Sequence, residues 1–252
     1  METLILVGYG KMARALAFGL RDRFNLKICG RDKFKISAFC EELSKDRSCN
    51  IKPYFLDNNT IDIQDSHILL CIKPYAIKEF SYQGKARAVY SILNAVSIDV
   101  LKTEINGEFY IRAMPNVAAQ FGKSITSICG DIKLKDKSFD IFGTIGRCIW
   151  LDENKISVAT AIGGCSPAFL AIIAESFVDS AVAYGLSRDE AMEIVQGLFY
   201  GFSSLLDEIH PSLIKESVMS PGGSTSQGVL SLERDGIRGA ISNAILNSKN
   251  FA

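Results

Sequence analysis

Thr3-Leu4-Ile5-Leu6-Val7-Gly8-Tyr9-Gly10-Lys11-Met12-Ala13 is the stretch on which the fold turns. Thr3 to Val7 reads as a buried strand, and Gly10 to Leu20 as a helix with small residues near its start. Between them, Gly8 and Gly10 let the backbone turn tightly and approach a pyrophosphate, while the free amides of the helix start face the anion. Ala13 supplies the third small position, where helix must pack closely on strand. A G-x-G-x-x-A string alone is weak evidence, and an ordinary strand-to-helix turn would use the same residues. Its place between a strand and a helix is the context the motif requires.

Outward from this stretch, the end of the second strand should select the adenosine ribose. Leu26 to Cys29 reads as that strand, and Cys29-Gly30-Arg31-Asp32-Lys33 follows. An acidic residue here accepts bonds from a free 2′-hydroxyl, whereas a guanidinium pairs with a 2′-phosphate. Arg31, with Lys33 and Lys35 close behind, therefore points to NADPH, with NADH as the second choice. Asp32 pulls the other way, and a solvated loop arginine is the plain alternative.

Strand and helix go on alternating. A helix is expected over Phe34 to Leu43. Strands are expected over His67 to Ile72, Ala88 to Ile92, Phe109 to Ala113, Ile125 to Cys129 and Cys148 to Leu151. Helices at Ser97 to Glu104 and Ser138 to Ile145 intervene. The pattern predicts an α/β domain over residues 1–152, built on a mostly parallel, doubly wound sheet. Residues 153–252 read as helices only. Arg188 to Leu206 places Ala191, Ile194, Val195, Leu198, Phe199, Phe202, Leu205 and Leu206 on one stripe of period 3.6, behind a Ser187-Arg188-Asp189-Glu190 capping box. Pro167 to Tyr184 precedes it, Pro211 suits the first turn of a short helix, and Ile237 to Leu246 forms the last. Core packing is the plain explanation of the stripes. Helices this apolar also suit burial against a second subunit, so an oligomer is expected.

Composition removes several function classes. Lys plus Arg total 28 and Asp plus Glu total 28, which gives no global reason to expect nucleic acid or an anionic membrane as partner. The two histidines, His67 and His210, are not in a ligand-like cluster, so no metal site is expected and a Ser-His-Asp hydrolase is thinly supplied. The seven cysteines are odd in number and form no C-x-x-C pair, which reads as reduced thiols in a cytoplasmic protein. Met1 to Val7 lacks the basic flank and apolar length of a signal peptide. Ile156 to Ala174 is uncharged for 19 residues, near the minimum for a membrane span. Its centre, Gly163-Gly164-Cys165-Ser166-Pro167, is expected to break the helix, and a segment buried on most sides in a soluble core is the preferred reading.

Ser220-Pro221-Gly222-Gly223-Ser224-Thr225 is the most unusual string in the chain. Pro221 and the glycines prevent a regular helix, and Ser224 or Thr225 can start the next one. The loop gathers amides and hydroxyls suited to a carboxylate, although an ordinary capped turn has the same composition. Gly163 to Ala168 reads as a second such turn. Met114-Pro115-Asn116 and Lys73-Pro74 each follow an expected strand, where doubly wound sheets place their ligands.

These strings together resemble the pyrroline-5-carboxylate reductase family over nearly the whole chain. Gly8 to Ala13, Cys71-Ile72-Lys73-Pro74, Arg112-Ala113-Met114-Pro115-Asn116 and Thr160-Ala161-Ile162 carry the resemblance in the first part. Pro167-Ala168-Phe169, Tyr184-Gly185-Leu186-Ser187-Arg188, His210-Pro211 and Ser220 to Thr225, continuing to Leu232-Glu233, carry the rest. The resemblance implies a Rossmann-type N-terminal domain and a helical C-terminal domain that interlocks with its copy in a homodimer. Many members join five dimers into a decamer. It also implies reduction of 1-pyrroline-5-carboxylate to L-proline with NADPH or NADH, the last step of proline biosynthesis. Gly8, Tyr9, Gly10, Lys11 and Met12, with Arg31, Lys73, Pro74 and Asn116, are then the expected cofactor-binding residues. Ser220, Gly222, Gly223, Ser224 and Thr225 are expected to hold the substrate carboxylate. The Thr225 hydroxyl, matching a family threonine that contacts the ring nitrogen, is the expected catalytic group.

One departure stands out. The family usually shows Ser-Gly-Ser-Gly-Pro-Ala-Tyr where this chain has Gly163-Gly164-Cys165-Ser166-Pro167-Ala168-Phe169, so three of the first four positions differ and a tyrosine hydroxyl is lost. Two readings stay open beside the reductase. One is an NADP-dependent enzyme for another imino or keto acid, though a β-hydroxyacid dehydrogenase would want a lysine that the stretch between Lys155 and Lys215 lacks. The other is a non-catalytic NADP sensor.

Overall fold

The computed structural model describes residues 2–45 and 50–251, which leaves Cys49 outside the described residues. The strands are β1 (Thr3–Val7), β2 (Asn25–Cys29), β3 (Ile51–Tyr54), β4 (Thr60–Asp62), β5 (His67–Leu70), β6 (Ser81–Gln83), β7 (Ala86–Ser91), β8 (Gly107–Met114), β9 (Ser124–Gly130) and β10 (Gly146–Trp150). Eight of them form one sheet in the order β10-β9-β8-β7-β5-β1-β2-β3, while β4 and β6 pair separately. The pairs are parallel except β8 with β9. β2 and β5 flank β1, with Leu4 opposite Leu26 on one side and His67 on the other. The chain therefore reverses its direction of growth at β1, the arrangement that opens a crevice beyond the carboxyl ends of the strands.

Burial on both faces explains why β1 reads as an unbroken apolar run. Leu4 and Leu6 enter one cluster with Leu16, Leu20 and Phe39, and Ile5 and Val7 enter another with Ile68, Leu70 and Val89. Helix α1 (Lys11–Leu20) covers the first cluster with Ala13, Leu16, Ala17 and Leu20, the i, i+3, i+4, i+7 stripe of its sequence. Helix α2 (Lys33–Ser44) starts at Asp32, whose carboxylate accepts the Phe34 and Lys35 backbone N–H groups at 3.0 and 3.1 Å. Helices α3 (Ile98–Glu104) and α4 (Lys135–Phe142) complete the layers.

Helix α5 (Ile156–Thr160) follows β10, and helical backbone runs on through a π-turn at Ala161–Cys165 into α6 (Ser166–Ala183). Two sequence expectations are corrected here. The glycines and Pro167 do not break the helix: Pro167 has no N–H to give the Gly163 carbonyl four residues back, Asn116 Nδ2 donates to that carbonyl at 2.8 Å, and the wider π-turn accommodates the ring. Nor is the segment buried on most sides. Glu153–Ala183 is long and apolar enough to cross a membrane by length and composition, yet only 17% of its apolar window is buried.

Two compact units result, Met1–Cys165 with Ser248–Ala252, and Ser166–Asn247. The second holds α6, α7 (Arg188–Glu208), α8 (Pro211–Ser217), α9 (Ser224–Arg234) and most of α10 (Ile237–Lys249). The capping box forms as read, with Ser187 Oγ accepting the Glu190 N–H and the Glu190 carboxylate accepting the Ser187 N–H. The apolar stripe on α7 is not core within one chain. Ala191 and Val195 are buried, whereas Ile194, Leu198, Phe202, Leu205 and Leu206 are exposed. The core cluster of this unit is small, built on Val178, Ala191 and Val195.

Candidate functional site

The turn after β1 is shaped by what cannot be there. Gly8 has φ +122°, and a Cβ on it would lie 2.6 Å from the Cys71 carbonyl oxygen, so a side chain would have to force β1 and β5 apart. A Cβ on Gly30, just past β2, would lie 2.7 Å from the Tyr9 ring, so the ring would have to shift. Gly10 differs, since a Cβ there would meet nothing within 4 Å. Gly10 is the N-cap of α1 and brings no side-chain cap, which leaves the first amides of that helix to an outside acceptor.

Open space beside Gly10 belongs to a cleft of about 560 Å³. Gly8 to Met12 line it from β1, Gly30 and Arg31 from β2, Cys71 to Ala76 from β5, and Ile92 and Asn94 from β7. All four segments follow carboxyl ends of adjacent parallel strands. The volume lies within the range of small-molecule sites, and uncapped amides, a bare glycine and cations from Lys11, Arg31 and Lys73 suit a phosphorylated ligand. The residues present fit a dinucleotide.

Of the nine expected cofactor residues, Gly8, Tyr9, Gly10, Lys11, Met12, Arg31, Lys73 and Pro74 line this cleft. Asn116 lies elsewhere. Its Oδ1 accepts the Ala118 N–H at 3.1 Å and its Nδ2 donates to the Gly163 carbonyl at 2.8 Å, so the side chain ties the turn after β8 to the π-turn. Sequence reasoning missed Tyr75, Phe80, Ile92 and Asn94 as cleft walls. Position just beyond β5 and β7 was the available signal, and no motif marks them.

Thiols in this region are not poised for nucleophilic work. Burial pushes the Cys29 thiol up to about 12 and raises that of Cys71, which lines the cleft. His210 caps α8, accepting the Ser212 N–H on Nδ1 at 3.3 Å. His67 is buried at the start of β5, the far end of that strand from the cleft, and burial lowers its pKa. Among the described residues no three His, Cys, Asp or Glu side chains converge on a point.

In the helical unit, Ser220 to Gly223 form a turn closed by the Gly223 N–H donating to the Ser220 carbonyl at 3.0 Å. Ser226 Oγ donates to the same carbonyl at 2.5 Å. Gly222 has φ +72°, a backbone that favours glycine, and a Cβ on Gly223 would lie 2.3 Å from Ser220 Oγ, a hydroxyl free to rotate, and 3.2 Å from the Ser220 carbonyl oxygen. Gly223 caps α9 without a side chain, and Ser224 and Thr225 are exposed in its first turn. The loop thus presents the first-turn amides of α9, which no side chain caps, and the Ser220, Ser224 and Thr225 hydroxyls, a suitable set for a small carboxylate.

Sheet order and cleft define a Rossmann-type α/β protein carrying a helical C-terminal unit. A family model for pyrroline-5-carboxylate reductase dimerisation matches residues 153–252. A pyrroline-5-carboxylate reductase of Helicobacter pylori is 36% identical over 249 residues, covering 96% of this chain and 95% of that relative. This chain belongs to the pyrroline-5-carboxylate reductase family. The crystal structure of 1-pyrroline-5-carboxylate reductase from Streptococcus pyogenes matches with a TM-score of 0.82 at 25% identity, covering 98% of this chain and 96% of that one. The fold is also that of a Plasmodium falciparum pyrroline carboxylate reductase with NADP bound, with a TM-score of 0.76 at 22% identity over 99% of this chain and 96% of that one.

Proposed function

We propose that this protein reduces 1-pyrroline-5-carboxylate to L-proline with NADPH, accepting NADH as well. The observation that carries the reading is a glycine-walled cleft at the strand reversal point, in a chain related along nearly its whole length to a pyrroline-5-carboxylate reductase. Bound NADPH supplies the hydride that adds to the imine carbon. The protein's task is then to align, anchor and balance charge.

Each group has a part. The amides at the start of α1, opened by Gly8 and Gly10, hold the pyrophosphate. Arg31 faces the ribose 2′-phosphate, while Lys73 and Pro74 with Tyr9, Lys11 and Met12 wall the dinucleotide. Ser220, Gly222, Gly223 and Ser224 anchor the substrate carboxylate by amides and hydroxyls. The Thr225 hydroxyl orients the ring nitrogen or relays to it a proton taken up from solvent. No strong general acid is needed, because a cyclic imine can bind already protonated, which agrees with a site poor in histidine.

The dimerisation family model over residues 153–252 and the uncovered apolar side chains of α6 and α7 support a homodimer, with the functional division of the chain after Asp152. A decamer of five dimers is the larger assembly that this reading includes. Reduced cysteines and a soluble substrate support a cytoplasmic location.

The test is a spectrophotometric assay of NADPH and NADH oxidation with 1-pyrroline-5-carboxylate. Absence of turnover with both cofactors defeats the proposal. Thr225→Ala is expected to lower kcat by about ten- to a thousand-fold, the loss typical of one positioned polar group. Turnover near that of the wild type would remove Thr225 from the reaction.

A further inference from the structure

Arg31 does not stand alone at the mouth of the cleft. Its Nη1 forms an ion pair with Glu79 Oε2, from the last residue of the 3₁₀ turn Pro74–Glu79 that follows β5. That oxygen is shielded from water and makes no hydrogen bond, which leaves the guanidinium as its counterpart. The two side chains keep 52% and 34% of their surface, so a ligand in the cleft can still reach the pair. Asp32, the acid adjacent in sequence, is committed to capping α2 through Oδ1. The carboxylate at the ribose-selecting end of β2 is therefore Glu79, delivered from a different strand.

We propose that Glu79 sets the balance between phosphorylated and unphosphorylated dinucleotides, by neutralising Arg31 and holding it over the cleft. The inference rests on the nucleotide reading of the cleft. A 2′-phosphate carries close to two negative charges at neutral pH and must share the guanidinium with the Glu79 carboxylate, which repels it. A free 2′-hydroxyl meets no such penalty, and the carboxylate can accept its proton in a hydrogen bond. Glu79 is thus a specificity-determining residue that acts partly by positioning Arg31.

Calorimetric titration of the full chain with adenosine 2′,5′-bisphosphate and with 5′-AMP separates the two charges. Glu79→Gln is expected to tighten the bisphosphate by about two- to tenfold while 5′-AMP binding holds or weakens, a range set by a half-exposed ion pair. In kinetics the NADPH-to-NADH preference should rise through KM, with kcat little changed. Glu79→Asp retains the charge and should keep the wild-type affinity ratio. In an Arg31→Ala background the Glu79→Gln effect should shrink to the part the carboxylate exerts directly on the ligand, as expected of residues that act partly through one another. An affinity ratio unmoved by Glu79→Gln, an equal shift in Glu79→Asp, or an undiminished shift without Arg31 overturns the proposal. A wild-type protein that binds neither nucleotide defeats the reading of the cleft itself, a distinct outcome.

Discussion

At the scale of single residues, the cleft depends on side chains that are missing as much as on those present. Gly8 is the sharpest case, because two independent costs meet there. A Cβ would contact the Cys71 carbonyl oxygen at 2.6 Å, and φ +122° is strained for any L side chain. Gly8→Ala is expected to destabilise the fold by about 1–3 kcal/mol and to abolish NADPH binding, because relief of the clash must move β5 and the cleft wall that follows it. Urea unfolding and calorimetry check the two parts separately. Unaltered stability would mean that β1 and β5 part more easily than their backbone hydrogen bonding indicates. Gly8 and Gly10 were legible in the sequence because their spacing between a strand and a helix is a pattern of neighbouring residues. Glu79 was not, since nothing in the order of residues says that the turn after β5 comes back to Arg31.

Among the elements, the junction from β10 to α6 is where sequence and structure part most. Gly163, Gly164 and Pro167 are poor helix residues, and a break was the natural expectation. A π-turn carries the backbone through, with Gly163 close to Ile125 of β9 (a Cβ there would lie 3.2 Å from Ile125 Cγ2) and its carbonyl held by Asn116 Nδ2. The long-range bond compensates what local propensity withholds. Asn116→Ala removes that bond together with the cap that Asn116 provides to the following 3₁₀ turn. A loss of about 1–3 kcal/mol in the stability of the sheet unit is expected, measured by denaturant unfolding. A loss below about 0.5 kcal/mol would mean that water replaces the amide at no cost. β3 escaped sequence reading for another reason. Ile51–Tyr54 is short, contains Pro53 and is only partly buried, as an edge strand that leaves one side unpaired can be.

For the whole molecule, the unbalanced quantity is apolar surface. Ile172, Phe177, Ile194, Leu198 and Phe202 all keep more than two-fifths of their surface on helices whose own core is small. Such an area needs a partner, and the matched family is one defined by dimerisation. Leu198→Asp, which places a charge on the exposed stripe of α7, is expected to raise the dimer dissociation constant by about thirtyfold or more, read by sedimentation velocity across a dilution series. A mass that stays dimeric at all concentrations would place the interface on another face.

The sequence by itself determined most strands of the mostly parallel sheet, the glycine turn at the end of β1, the arginine after β2 and the glycine-rich loop before α9. Each is written in residues close along the chain, where periodicity, backbone freedom and charge act without help from elsewhere. Only the tertiary structure decided that Asn116 serves the π-turn, that Glu79 holds Arg31, and that stripes fit for a core stay uncovered in one chain. Those outcomes depend on which distant segments meet, and the packing of the whole chain settles that.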